Sequence, residues 1–321
     1  MAQPQPRSLV EAATLEGHEE RVWSLSWHPE HQCLATCSSD QTVKIWNYEN
    51  DQFVNQFTLK DGHTKSIRSV DWNPNGKTLA SCSFDGTAAL WNFEDGEFEC
   101  VATLEGHENE VKCVSWSQDG KYMATCSRDK NIWIWDTNDS FEYECNSVLS
   151  GHTQDVKFVK FNSRYEMLFS CSYDDTIKAW KYDESFDDWV CAYTIEGHTS
   201  TVWSLDFDQS EKFLVSVGDD KSIKIFEIDE SGAVLKSSTE GVHSRCIYSV
   251  SWGNSSNKIA TCGGDNKIYL LDPTDMSNVT VEAQSPPGQG HSNDVNCVAM
   301  HPSSNTIASC SDDRTVKIWT F

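Results

Sequence analysis

The feature that most constrains this chain is a pair of signals separated by a fixed distance. A histidine, preceded by glycine in six of its seven copies, is followed 28 residues later by a large apolar residue. The histidines are His18, His63, His107, His152, His198, His243 and His291. The residues that follow them are Trp46, Trp91, Trp135, Trp180, Phe226, Leu271 and Trp319. A spacing that holds along the whole chain indicates one repeated supersecondary unit.

Two further positions recur with the same spacing. Six residues before each apolar position lies an aspartate: Asp40, Asp85, Asp129, Asp174, Asp220, Asp265 and Asp313. Ten residues before it lies a hydroxyl residue: Thr36, Ser81, Thr125, Ser170, Ser216, Thr261 and Ser309. Aspartate favours tight turns because its carboxylate can accept hydrogen bonds from nearby backbone N–H groups. Four aligned positions in seven copies rule out chance.

The third repeat, from Leu104 to Asp136, displays the local pattern most clearly. Residues 111–116 alternate between apolar and polar, residues 122–127 form a second run, and residues 132–135 are rich in β-branched and aromatic side chains. Turn residues separate the three runs. This pattern predicts short antiparallel strands joined by tight turns.

The Gly-His and Trp-Asp pairs that frame this repeat resemble the signature of the WD-repeat family, and the resemblance covers essentially the whole chain. It implies an all-β fold, a seven-bladed β-propeller with four-stranded blades around a central channel. Residues 1–321 would then form one domain. Its repeats begin near Gly17, Gly62, Gly106, Gly151, Gly197, Gly241 and Gly290. By the same resemblance, each His, Ser/Thr, Asp and Trp forms a buried hydrogen-bonded set inside its blade.

The two ends of the chain predict how the ring closes. The last repeat stops at Phe321, two residues after its tryptophan, and so lacks a fourth strand. Residues 8–15 precede the first Gly-His pair, where every other repeat carries a fourth strand. We expect this segment to complete the last blade, because closure removes an exposed sheet edge.

Composition excludes several classes of function. The formal charge of −24 and the pI near 4.6 argue against nucleic acid and against anionic membranes as ligands, because both require a cationic surface. The N-terminal residues contain no apolar signal segment, and no later stretch resembles a membrane span. These features predict a soluble protein that is not secreted, and the closer resemblance described below implies a location in the cytoplasm and also in the nucleus.

The sequence predicts no metal site, cofactor or catalytic centre. Eleven of the thirteen cysteines occupy positions that recur between repeats, and equivalent positions in different blades would be too far apart to share a metal or a disulfide. No Cys-x-x-Cys motif is present. A hydrolytic triad would be expected once, beside an oxyanion hole, whereas the His, Ser/Thr and Asp set occurs seven times. We therefore expect a protein that is not an enzyme.

In the family that this chain resembles, the face carrying the Gly-His loops and the Asp turns is the usual docking surface. Its exposed positions are the residue before each turn aspartate and the residues three and five after each histidine. These positions supply the cationic and aromatic residues Trp23, Arg68, Phe84, Lys112, Arg128, Lys157, Tyr173, Trp203 and Tyr248. Such residues are enriched at interface hot spots, and cations beside aromatic rings suit partners that carry carboxylates. We predict that they form a partner-binding site.

Several short sequence segments, beyond the general repeat, are similar to those of the WD-repeat subunits of the cytosolic iron–sulfur protein assembly (CIA) targeting complex. They lie at residues 98–112, 126–130, 152–157, 189–191, 196–205, 243–245, 247–250 and 291–299. The resemblance implies a non-catalytic adaptor that joins a small partner subunit and a large helical-repeat scaffold, and that helps to deliver iron–sulfur clusters to cytosolic and nuclear apo-proteins. Of these residues, Arg128, in the sequence segment Cys-Ser-Arg-Asp-Lys, is the one that we most expect to contact a partner.

The alternative is a WD-repeat scaffold of another complex, such as a ubiquitin ligase, a chromatin complex or a signalling complex. Some ligase receptors carry Trp-Asp-x-Arg after the third strand of a blade. Here the corresponding residues, Trp135 to Asn138, lack the arginine, and no other blade supplies it.

Overall fold

The computed structural model describes residues 6–137, 143–276 and 278–321; Asn138 of the motif discussed above lies outside them. The strands form seven sheets, six of four strands and one of five. The innermost strand of each blade packs against the innermost strand of the next blade, and that of blade seven packs against that of blade one. The predicted seven-bladed β-propeller is confirmed. Within the described residues no helix is long and apolar enough to cross a membrane.

Each of the first six blades contains four strands that are consecutive in the sequence, and blade seven contains three. Two N-terminal strands are β1 (Arg7–Ser8) and β2 (Val10–Leu15). Blades one to three contain β3 (Val22–Trp27), β4 (Cys33–Ser38), β5 (Val43–Glu49), β6 (Gln52–Leu59), β7 (Ile67–Trp72), β8 (Thr78–Ser83), β9 (Ala88–Glu94), β10 (Glu97–Leu104), β11 (Val111–Trp116), β12 (Tyr122–Ser127), β13 (Asn131–Thr137) and β14 (Tyr143–Ser150). Blades four and five contain β15 (Val156–Asn162), β16 (Met167–Ser172), β17 (Ile177–Asp183), β18 (Asp188–Ile195), β19 (Val202–Phe207), β20 (Phe213–Gly218), β21 (Ile223–Ile228) and β22 (Ala233–Thr239). Blades six and seven contain β23 (Ile247–Trp252), β24 (Ile259–Gly263), β25 (Ile268–Asp275), β26 (Asn278–Gln284), β27 (Val295–Met300), β28 (Thr306–Ser311) and β29 (Val316–Thr320).

The hydrophobic core lies between the blades. The second strand of a blade is covered on both sides by its neighbours, and all six residues of β4, β8 and β16 are buried. Between blades two and three, for example, Cys82 and Leu90 pack with Val111, Val114 and Met123. The outermost strands alternate between buried and exposed residues, as in β14. Small and apolar side chains therefore fill the second strands, because a blade on each side leaves little room.

Each blade contains the His, Ser/Thr and Asp part of the predicted hydrogen-bonded set, and five blades add the Trp, which Phe226 and Leu271 replace in blades five and six. In blade three, His107 Nδ1 lies 2.7 Å from Asp129 Oδ2, and His107 Nε2 lies 3.0 Å from the Thr125 hydroxyl. The Trp135 indole N–H donates to the same hydroxyl at 2.9 Å. Burial opposes the charged form of Asp129, but hydrogen bonds from His107 and the backbone outweigh it and lower the pKa of this carboxyl. The set thus ties the entry loop, the turn and two strands of one blade together.

The N-terminal segment closes the ring, as predicted, but it also contacts a second blade. Strand β2 pairs antiparallel with β29 and completes blade seven, with Leu15 opposite Val316. Strand β1 pairs in parallel with β26 of blade six. Between them, Leu9 is 2% exposed and packs in the core shared by these blades. The predicted segment 8–15 is therefore divided: Ser8 belongs to blade six, because burying Leu9 moves the chain from one blade to the next.

Two pairs of cysteines lie opposite each other within single blades, which the sequence comparison did not consider. Strand pairing places Cys113 opposite Cys126 in blade three and Cys297 opposite Cys310 in blade seven. Comparing equivalent positions of different blades could not reveal these neighbours. All thirteen thiols are free. Within the described ranges, no group of three or more His, Cys, Asp or Glu side chains is arranged to hold a metal ion.

Candidate functional site

The candidate site lies on the face formed by the entry loops and the Asp turns, which meet at the same end of every blade. A backbone hydrogen bond joins the two in each blade: in blade three, Arg128 N donates to Glu110 O at 3.0 Å, and in blade four Tyr173 N donates to Asp155 O at 2.9 Å. The loop and turn residues that recur along the sequence are therefore neighbours on one surface around the channel mouth.

The predicted residues of blades one to three form the first cation–aromatic group. Arg68 lies over the Trp23 ring, with its guanidinium carbon 4.9 Å from the ring centre. The Lys112 ammonium lies 4.2 Å from the centre of the Phe84 ring, and the Trp23 and Phe84 rings are 6.1 Å apart. Burial beneath these neighbours lowers the pKa of Lys112. Each cation therefore bridges from its own blade to the aromatic ring of the preceding blade.

A second group spans blades four to six. The Lys157 ammonium lies 5.2 Å from the Tyr173 ring centre and 5.0 Å from that of Trp203. Trp203 and Tyr248 make an edge-to-face contact with ring centres 5.5 Å apart. Such contacts each contribute about 0.5–1.5 kcal/mol. The structure thus brings eight of the nine predicted residues into these two groups.

Arg128, the ninth, lies outside both groups and is the most accessible cation of the predicted set. Its guanidinium forms an ion pair with Glu110 at 3.2 Å, and 57% of its side chain is exposed. An ion pair this exposed contributes about 0–1 kcal/mol, so a partner can replace it at little cost. Tyr173 is 55% exposed, whereas the other members are half-buried. Arg128 and Tyr173 are therefore free to make first contact, and the rest form a preorganised base.

The predicted partner-binding set left out the carboxylates of this face. Trp203 Nε1 donates to Asp219 at 2.6 Å, and the Tyr248 hydroxyl donates to Asp294 at 3.3 Å. Arg245 also pairs with Asp294, at 3.2 Å. Arg245 lies two residues after His243, which is not one of the repeat positions from which the partner-binding site was predicted. In blade seven, Asp312 accepts from the Asn296 amide at 2.8 Å and pairs with Arg21 at 3.4 Å.

The face is divided unevenly by charge. Blades two to four carry four predicted cations beside the carboxylates Glu110 and Asp155. Blades five to seven carry Asp219, Asp294 and Asp312, which orient aromatic and amide side chains, beside Arg245. The arrangement is suited to binding and orienting a protein partner whose carboxylates and apolar groups meet the cationic half.

Comparison with known proteins places the fold in a family. A family model described as "WD domain, G-beta repeat" matches residues 10–47, 53–92, 98–136, 143–181, 189–227, 236–272 and 285–320. Because these matches span most of the sequence, the chain belongs to the WD-repeat family, and the resemblance predicted from the repeat signature is confirmed.

Curated relatives agree with the closer resemblance. The chain is 46% identical over 85 residues to a probable cytosolic iron-sulfur protein assembly protein CIAO1 homolog of Nematostella vectensis, covering 25% of this chain and 26% of the relative. The Homo sapiens protein of corresponding name is 43% identical over 85 residues, or 25% of each chain. That of Anopheles gambiae is 66% identical over 93 residues, or 29% of this chain and 27% of the relative. The chain aligns with about a quarter of the length of these relatives.

Proposed function

We propose that this protein is a non-catalytic adaptor in cytosolic iron–sulfur protein assembly, acting in the cytoplasm and the nucleus. The observation that carries the proposal is the divided face, on which two cation–aromatic groups are preorganised and Arg128 is exposed beside them. The names of the similar proteins point to the same process.

The finer proposal concerns the partners. We infer that the chain joins a small partner subunit and a large helical-repeat scaffold, and that the resulting targeting complex presents apo iron–sulfur proteins to a cluster carrier. The cationic half of the face is the part best suited to a carboxylate-bearing segment of such a partner, because guanidinium and ammonium groups form charge-assisted hydrogen bonds with carboxylates.

The first experiment is affinity purification of the tagged full chain from cells, followed by mass spectrometry. Recovery of iron–sulfur assembly factors together with iron–sulfur enzymes is the expected result. Recovery of ubiquitin-ligase core subunits, or of chromatin or signalling complexes, without any assembly factor would overturn the proposal in favour of that alternative.

Arg128→Glu tests the face itself. Reversal of this charge should remove one or more partners, because a carboxylate would then repel the acidic segment, while the melting temperature stays close to that of the wild type since the ion pair to Glu110 is exposed. Lys121→Glu is the matched control. Lys121 carries the same charge change on the turn between β11 and β12, away from this face, with 72% of its side chain exposed. Equal partner recovery from both variants would place the docking site elsewhere.

A further inference from the structure

Two thiols of blade seven face each other across neighbouring strands. Cys297 lies on β27, the innermost strand, directly opposite Cys310 on β28. Both side chains pack against the same core, between blades seven and one. Cys310 is fully buried, whereas Cys297 is partly exposed on the innermost strand, which borders the central channel. Residue Cys297 is thus more accessible to solvent than Cys310.

Hydrogen bonding makes these two thiols unequal. The Ser249 hydroxyl of blade six donates to Cys297 Sγ at 3.7 Å. The Cys310 thiol donates to the same sulfur and so lowers the pKa of Cys297, whereas burial, together with this contact, raises the pKa of Cys310. Donors aimed at a sulfur stabilise its thiolate, and the thiolate is the form that attacks electrophiles. Cys297 is therefore the nucleophile of the pair, and Cys310 remains a neutral thiol beside it.

Blade three supplies a matched pair that is more deeply buried. Cys113 and Cys126 occupy the same strand positions as Cys297 and Cys310. Cys113 accepts from the Ser69 hydroxyl at 3.9 Å, as Cys297 does from Ser249, but it also donates to Val159 O of blade four at 3.8 Å, and Cys126 donates to Val156 O at 3.6 Å. Burial raises the pKa of Cys113 to about 12, and this residue is 2% exposed. These thiols are held in the protonated form and away from solvent.

We propose that Cys297 and Cys310 form a modification site for hydroperoxides, which closes reversibly to a cross-strand disulfide. In the first step the Cys297 thiolate attacks the terminal oxygen of a hydroperoxide; an S–O bond forms, the O–O bond breaks, and the alkoxide or hydroxide that leaves takes a proton from water. The product is a sulfenic acid. In the second step the Cys310 sulfur attacks the Cys297 sulfur, and the hydroxyl group leaves as water with the thiol proton. A dithiol reductant restores both thiols.

The strand geometry permits this bond with a small movement. Directly opposite residues of an antiparallel pair have Cβ atoms about 4.5–5.5 Å apart. A disulfide requires about 3.5–4.5 Å. The pairing of β27 with β28 is irregular between Val295 and Cys297, so the strand is already distorted beside the thiol. An approach of about 1 Å is needed at most, and it would draw together the first two strands of the blade that closes the ring.

The test treats the purified, reduced full chain with hydrogen peroxide, blocks free thiols by alkylation and analyses the tryptic peptides by mass. Cys297 and Cys310 lie in a single peptide, residues 268–314, so disulfide formation appears as an unalkylated peptide lighter by two hydrogen atoms. Cys113 and Cys126 lie in separate peptides, 113–121 and 122–128, which a disulfide would join. We expect the blade-seven pair to oxidise at least about tenfold faster than the blade-three pair, and dithiothreitol to reverse it.

Two serine variants separate the steps. In Cys310→Ser the second step is blocked, so dimedone, which captures sulfenic acids, should label Cys297 after peroxide treatment. In Cys297→Ser the 268–314 peptide should acquire neither label nor disulfide. Circular dichroism before treatment establishes that each variant is folded. The proposal is overturned if Cys297 stays reduced in the folded wild-type protein, or if both cysteine pairs oxidise at the same rate.

Discussion

The hydrogen-bonded set of blade three can be broken at one atom, the Thr125 hydroxyl. Because Asp129 accepts from His107 Nδ1, the Nε2 atom is left as an acceptor for the Thr125 hydroxyl, and that hydroxyl in turn accepts from the Trp135 indole. Thr125→Val replaces the hydroxyl with a methyl group of almost the same size. It leaves the imidazole nitrogen and the indole N–H buried without a partner.

The structure sets the size of the effect. Thr125 is fully buried and Trp135 is 5% exposed, so water cannot replace the lost partner without disrupting the blade. Each unsatisfied buried group costs about 1–3 kcal/mol, and the two together about 2–6 kcal/mol. In a chain of this size each kcal/mol lowers the melting temperature by about 2–4 °C, so we expect a decrease of roughly 4–24 °C.

Thr125→Ser is the control, because four other blades carry serine at this position: Ser81, Ser170, Ser216 and Ser309. It retains the hydroxyl and loses one buried methyl group, at a cost of about 1 kcal/mol. Thermal and urea unfolding followed by circular dichroism would compare the two variants. If the valine variant melts within about 2 °C of the serine variant, the hydrogen-bonded set is not what stabilises the blade.

Two further changes probe the ring. Deletion of residues 1–16 removes β1, β2 and the buried Leu9, so blade seven loses its outer strand and the melting temperature should fall; melting like that of the full chain would contradict closure by this segment. Asp71 accepts hydrogen bonds from Trp116 N at 3.1 Å and from the Ser26 hydroxyl at 3.2 Å on the inner wall, and burial raises its pKa to about 6. Because this folded-state pKa exceeds the unfolded value of about 3.9, the group's contribution to stability is present below pH 4 and lost as the pH rises through 6. Asp71→Asn, which keeps an acceptor for Trp116, should raise stability above pH 6 by at most about 3 kcal/mol and leave it unchanged near pH 4; a difference that is constant from pH 4 to 7 would refute this assignment.

The repeat positions predicted the fold because each marks a contact that every blade must make. Asp129 occupies a turn that needs a carboxylate, and Thr125 lies where two buried nitrogen atoms require a hydroxyl. Position alone could not predict the division of the N-terminal segment. Whether Ser8 pairs with blade six or seven depends on where Leu9 finds a cavity, which is a property of the packed molecule.

The sequence allowed a prediction of which residues lie on the candidate face, but not of how they contact one another. Spacing predicted that Lys112 and Phe84 lie on the same face. It could not predict that the Lys112 ammonium lies over the Phe84 ring of the preceding blade. Arg245 was missed because its position recurs with no shared chemistry in other blades. The cysteine pairs were missed for a related reason: aligning repeats compares equivalent residues of different blades and never the residues that face each other within one blade, such as Cys297 and Cys310.

Ring closure by strands from opposite ends of the chain also has a consequence during synthesis. Glu11 on β2 forms an ion pair with Lys317 on β29 across 306 residues of sequence. At about 5–20 residues per second, β2 is made roughly 15–60 s before its partner strand exists. Throughout that interval β2 and the growing propeller present unpaired strand edges, which can pair with other chains. The time during which these edges can pair with other chains is therefore set by the length of the chain, and slower translation would extend it.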